Sequence, residues 1–168
     1  MRAALARVYL AAGLAAAFFL ALIGVIVVAQ IVARMWGVLI PSADEFAAYC
    51  MAAASFLGLP YALYRGDHIR VVLLLQHLPA RLRRVCEVGS TAVGFGLAAY
   101  FSWQVALFVH ETFTLGEVST GLVPIPMWIP QSAMLVGTLL LAVAFLERLL
   151  SKLAGSPEEA PAEGALTE

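Results

Sequence analysis

Apolar positions in this chain are gathered into four long runs that contain no Asp, Glu, Lys or Arg: residues 8–32, 46–64, 88–109 and 127–146. Their lengths are 25, 19, 22 and 20 residues. About 20 apolar residues in an α-helix cross the hydrocarbon core of a bilayer. Within lipid a helix satisfies its own backbone, so each run predicts a membrane-spanning helix. The fold class expected is all-α: a polytopic membrane protein of four transmembrane helices spanning 1–153, followed by a disordered acidic tail over 154–168.

Composition agrees. Of 168 residues, 62% are apolar and 12% charged, with a mean hydropathy of +0.92. A soluble domain is about half apolar and about a quarter charged. Four such runs leave no polar shell to cover them, so the bilayer itself is the expected surrounding. The first run follows Arg2 and Arg7. It is much longer than the apolar core of a signal peptide, about 7–15 residues, and is read as a retained span.

Charge sets the orientation. Lys and Arg mark cytoplasmic segments. Nine of the ten basic residues precede span one, lie between spans two and three, or follow span four; the exception is Arg34. Both termini are therefore expected to be cytoplasmic. The two exported loops, 33–45 and 110–126, are short and carry Asp44, Glu45, Glu111 and Glu117. Cys50 and Cys86 begin spans two and three at opposite faces, too far apart for a disulfide.

Small residues recur at helical spacing: Gly13, Ala17, Ala21 and Gly24; Ala54, Gly58 and Ala62; Ser90, Gly94, Ala98 and Ser102; Ala133 and Gly137. They let helix backbones approach closely. Such stripes serve either internal packing or the docking of another membrane protein.

The segment between spans two and three predicts an interfacial amphipathic helix. Arg70, His77, Arg81 and Arg84 share one face, and Val71, Leu74, Leu75, Leu78 and Leu82 the other. Pro79 divides it and suits the first turn of the helix that continues into span three. Before span four, Pro124, Pro126 and Pro130 stiffen the entry, and Trp128 is placed as an interfacial anchor.

The spans lack the buried ionisable residues that mark ion and proton pathways. His68, His77 and His110 lie at span ends or outside, so a haem held between helices has no axial ligands within the spans. No set of catalytic groups, metal ligands or phosphate-binding glycines converges, and no cofactor, nucleic acid or enzymatic activity is expected. The main alternative is a membrane anchor for a redox or other enzyme complex; a small autonomous channel is a third.

The ordered motifs resemble the small membrane subunit (DctQ type) of tripartite ATP-independent periplasmic, or TRAP, transporters. The resemblance runs to Leu153. Glu45 opens span two and Gly58 stands late in it. Arg65 is followed by His68-Ile69-Arg70-Val71, then Leu78-Pro79 and Arg81, Arg83 and Arg84. Ile125-Pro126-Met127-Trp128 precedes span four, with Gly137 within it. Many members have a proline just before that glycine, where Leu135-Val136 stands here, and a tryptophan in mid span two, where this chain has Ala52 to Ala54.

The resemblance implies a scaffold subunit in a bacterial inner membrane. Its partners would be a large multi-span permease subunit carrying the substrate and ion sites, and a periplasmic binding protein. Uptake of an organic acid, a dicarboxylate or similar, would be driven by an ion gradient. His68, Ile69, Arg70, Pro79, Arg81, Arg83 and Arg84 are the candidates for membrane-interface and assembly contacts. Asp44, Glu45, Glu111 and Glu117 are the candidates for binding-protein docking.

Overall fold

A computed structural model describes residues 2–65 and 80–154. Among them four helices form: α1 (Arg2–Met35), α2 (Ala43–Arg65), α3 (Ala80–Leu115) and α4 (Trp128–Leu153). All four are long and apolar enough to cross a membrane. Of the interfacial segment predicted around His68 to Arg84, residues 68–79 lie outside the described residues, as does the tail from 155 onwards, and residues 80–84 form the start of α3. The 34 residues of α1 and 36 of α3 measure about 51 and about 54 Å at 1.5 Å per residue. Both exceed the hydrocarbon core of about 30 Å, so they tilt within it or protrude from it.

The helices stand as an open row. α1 packs on α2, α2 on α4, and α4 on α3. The order across the row is thus α1, α2, α4, α3, with α1 and α3 at its edges. Most of α1 is exposed, including Leu14, Phe18, Leu20 and Val25, each more than 60% accessible. α1 and α3 meet lipid or other protein over most of their circumference.

Each seam carries a glycine. At Gly13 a Cβ would lie 2.7 Å from Cγ of Tyr61, joining α1 to α2. At Gly94 it would lie 2.6 Å from Cε1 of Phe145, joining α3 to α4. At Gly137 it would run into the backbone carbonyl of Phe56, joining α4 to α2. Pro60 lies inside α2 and is buried. Proline has no N–H, so the carbonyl four residues earlier, that of Phe56, loses its helical donor. The backbone of α4 fits against that carbonyl only because residue 137 has no side chain.

The stripes of small residues are used unevenly. Gly13, Gly58, Gly94 and Gly137 meet neighbouring helices or lie within ordinary contact of them, and Ala98 and Ser102 are buried. Ala17 and Ala21 are exposed, and nothing lies within 4 Å of a Cβ at Gly24. Internal packing therefore accounts for only one end of the span-one stripe. Hydroxyls inside the bundle bond to their own helices: Ser102 Oγ donates to the Ala98 carbonyl at 2.8 Å and Thr138 Oγ1 to that of Leu135 at 3.1 Å. This local back-bonding lets them sit in an apolar interior without a partner helix.

Candidate functional site

Among the described residues, charged side chains lie towards the two ends of the helices. At the end where α1 begins and α4 stops, Tyr9 of α1 is 1% exposed and donates its hydroxyl to Glu147 Oε2 of α4 at 3.2 Å. Leu63 and Ala144 complete the buried cluster, with Leu5, Leu141 and Phe145 around it. The Tyr64 ring lies 5.6 Å from that of Tyr9. One phenol thus ties the first helix to the last across α2, and puts the N-terminus and the end of α4 on the same side. Arg65 continues this end, its guanidinium 5.9 Å from the centre of the Tyr61 ring.

Of the assembly candidates, Arg81, Arg83 and Arg84 fall in the first turns of α3, and Arg84 is exposed. They extend the helix at the terminal end. His68, Ile69, Arg70 and Pro79 lie outside the described residues.

At the distal end, α1 and α3 stop in the same way. After α1, Gly37 takes φ +75°, its N–H bonds to the Arg34 carbonyl, and that of Val38 bonds back to Ala33. After α3, Gly116 takes φ +65°, its N–H bonds to Phe113, and that of Glu117 bonds back to Thr112. Both are left-handed glycine caps that satisfy the last carbonyls.

The chain after α3 turns into a small hairpin. Val118 and Pro126 face each other in an antiparallel bridge. Ser119 N–H bonds to the Ile125 carbonyl at 2.8 Å, and Met127 N–H to that of Glu117 at 3.0 Å. Phe113 and Trp128 meet edge to face below it, 5.7 Å apart. Tyr49 donates to Met127 Sδ at 3.6 Å, fixing the entry of α4 against α2.

This hairpin is tied to the start of α2. The Val123 N–H bonds to Ser42 Oγ at 3.0 Å. Ser42 holds a left-handed φ of 56°. Ser119 is 8% exposed, and its hydroxyl lies 3.4 Å from Glu45 Oε2 and 3.3 Å from the Val123 carbonyl. The carboxylate of Glu45 occupies the space where a side chain at Gly121 would begin.

The four acids therefore divide. Glu45 is half-buried under the hairpin. Asp44 is exposed but accepts a hydrogen bond from Gln30 Nε2 at 2.9 Å, bracing α2 against α1. Glu111 and Glu117 are exposed. One turn into α4, Gln131 is 6% exposed and its side-chain oxygen is buried without a partner among the described residues.

Sequence reasoning did not find Tyr9, Glu147, Ser42, Ser119 or Pro60. A signal existed for two of them. Glu147 is the first charge after the fourth apolar run, and Pro60 is a helix-breaking residue inside an otherwise regular span. Nothing in the linear pattern pairs either with its neighbour.

The comparison with known proteins decides what this arrangement belongs to. Residues 23–155 match the family described as tripartite ATP-independent periplasmic transporters, DctQ component. This chain belongs to that family. It is a membrane component of a TRAP transport system and not an enzyme. Over 112 residues it is 30% identical to the isethionate TRAP transporter permease protein DctMQ of Oleidesulfovibrio alaskensis, a match covering 67% of this chain and 17% of that protein. This DctQ component thus spans about a sixth of the curated relative's length. All four helices of the row fall at least in part within the family match, α1 from residue 23 onwards.

Proposed function

We propose that this DctQ component is the scaffold subunit of a TRAP transporter in a bacterial inner membrane. It supports a large multi-span permease subunit that carries the substrate and ion sites, and it works with a periplasmic binding protein. The observation that carries this reading is the family membership together with four spans whose apolar runs hold no Asp, Glu, Lys, Arg or His. Such runs suit packing against another membrane protein better than conducting ions. The relative supports a larger partner, since there the similar segment is part of a much longer permease protein. By the distribution of Lys and Arg, the terminal end is cytoplasmic and the distal end periplasmic. The transported compound is an organic acid, a dicarboxylate or similar. Isethionate, in the relative's name, is itself a small organic anion.

Glu111 and Glu117 are the acids best placed to meet a binding protein, because they are exposed and their carboxylates take no part in the loop contacts above. Exposed charges of this kind mainly set encounter rates. Proteoliposomes holding this chain and the large subunit should accumulate substrate only when binding protein and an ion gradient are both supplied, without ATP. Reversing both acids, Glu111→Lys with Glu117→Lys, should slow uptake about three- to tenfold at low salt and much less at high salt. Uptake without this chain present would reject the scaffold role. Unchanged salt dependence in the double variant would reject docking by these acids.

A further inference from the structure

The distal loops carry an inference that the scaffold role does not contain. We propose that Glu45 is a latch that locks the 117–127 hairpin onto the start of α2, so that the two distal loops form one preformed surface. Three contacts cross between the loops, two of them at the Glu45 carboxylate. The Val123 N–H reaches Ser42 Oγ at 3.0 Å, Ser119 Oγ reaches Glu45 Oε2 at 3.4 Å, and the Gly121 backbone lies directly on the Glu45 carboxylate.

The residue types fit this task. Ser119 is 8% exposed, and a buried hydroxyl needs an acceptor. Its single proton can go to the carboxylate from α2 or to the Val123 carbonyl of its own hairpin. Gly121 has no left-handed φ. Its lack of a side chain is therefore explained by space and not by backbone conformation. A methyl group there would meet the end of a flexible carboxylate and push it out, leaving the hairpin backbone free to keep its shape. Glu45 also stands in the first turn of α2, where a negative charge is favoured by the helix dipole. That accounts for an acid at this position but not for the hairpin lying against it.

Glu45 is thus a positioning residue. Its carboxylate is spent inside the protein, and the acids left to face a partner are those beside the latch. A soluble partner arriving at this end would meet a fixed platform and would not have to order two loops on binding. That consequence rests on the scaffold reading above; the latch does not.

Hydrogen exchange followed by mass spectrometry, on the full chain in lipid nanodiscs, tests the latch directly. In Glu45→Ala and in Gly121→Ala, amides over 117–127 should exchange about tenfold faster, as expected for loss of a hydrogen bond to a charged group. Amides of α2 and α4 should be unchanged. Glu45→Gln keeps an acceptor oxygen and should retain most of the protection, which a purely electrostatic role at the helix end would not predict. Unchanged exchange over 117–127 in both Glu45→Ala and Gly121→Ala overturns the latch. Loosened exchange with normal uptake leaves the latch standing and removes the binding-protein role of this surface. Impaired uptake with normal exchange makes Glu45 a contact residue and overturns the latch.

Discussion

Gly137→Leu is expected to abolish the folded subunit, or to reduce its monodisperse yield in mild detergent at least tenfold. The seam between α2 and α4 is the middle of the row and joins the α1–α2 pair to the α4–α3 pair. At this point the α4 backbone lies against the Phe56 carbonyl, so even a methyl group would strike backbone and not a movable side chain. Overpacking a tight site costs about 1–3 kcal/mol when side chains can yield. Here the helices themselves must separate, and Pro60 has already removed the helical donor of that carbonyl. Gly96→Leu is the matched control, since nothing lies within 4 Å of a Cβ there. Size-exclusion profiles of fluorescently tagged protein should show the first variant lost and the second preserved. Equal profiles would mean that the α2–α4 seam is not formed as described.

Tyr9→Ala is expected to have the second-largest effect. The ring is 1% exposed and touches the α2 and α4 side chains that close the terminal end. Its removal opens a cavity and leaves Glu147 without the phenol that donates to it. Deleting a buried aromatic ring costs about 3–5 kcal/mol in soluble proteins. Lipid contributes no hydrophobic drive between helices, so the lower end of that range applies. About 3 kcal/mol in a chain of this size lowers the thermal midpoint by roughly 6–12 °C. Tyr9→Phe keeps the ring and loses only the hydroxyl, worth about 1 kcal/mol or somewhat more for a charged acceptor. It should therefore fall between Tyr9→Ala and the parent in a thermal-shift measurement. A Phe variant as damaged as the Ala variant would place the stabilisation in the hydrogen bond and not in the packing.

These two sites show where linear pattern stops being informative. The four apolar runs predicted four helices because hydrocarbon imposes one solution on an uncharged run of that length. Gly37 and Gly116 end α1 and α3 for an equally local reason, a left-handed cap, but the apolar runs by themselves did not single them out. Gly137 was visible as a small residue in a stripe. That it meets the one α2 carbonyl freed by Pro60 was not visible, because helical periodicity names a face but not what faces it. Tyr9 and Glu147 are 138 positions apart, and Glu45 and Ser119 are 74 apart. Pairs of that kind arise only once the row is assembled in the order α1, α2, α4, α3.

The acidic loops make the same point. Asp44, Glu45, Glu111 and Glu117 look equivalent in sequence, being four acids in two short loops. Folding separates them by what lies within reach. Gln30 takes Asp44, the hairpin covers Glu45, and Glu111 and Glu117 remain at the surface. Likewise the small residues of the first span split into Gly13, packed on Tyr61, and Ala17, Ala21 and Gly24, which face outwards.

We propose this chain as the scaffold for a larger membrane partner, which its co-purifying proteins would reveal. The decisive experiment is to tag it, extract native membranes in mild detergent and identify what co-purifies. A single large, very hydrophobic multi-span protein recovered in equal amount is the expected result. A stable homo-oligomer without a partner, or a haem-bearing or soluble enzyme in its place, would contradict it.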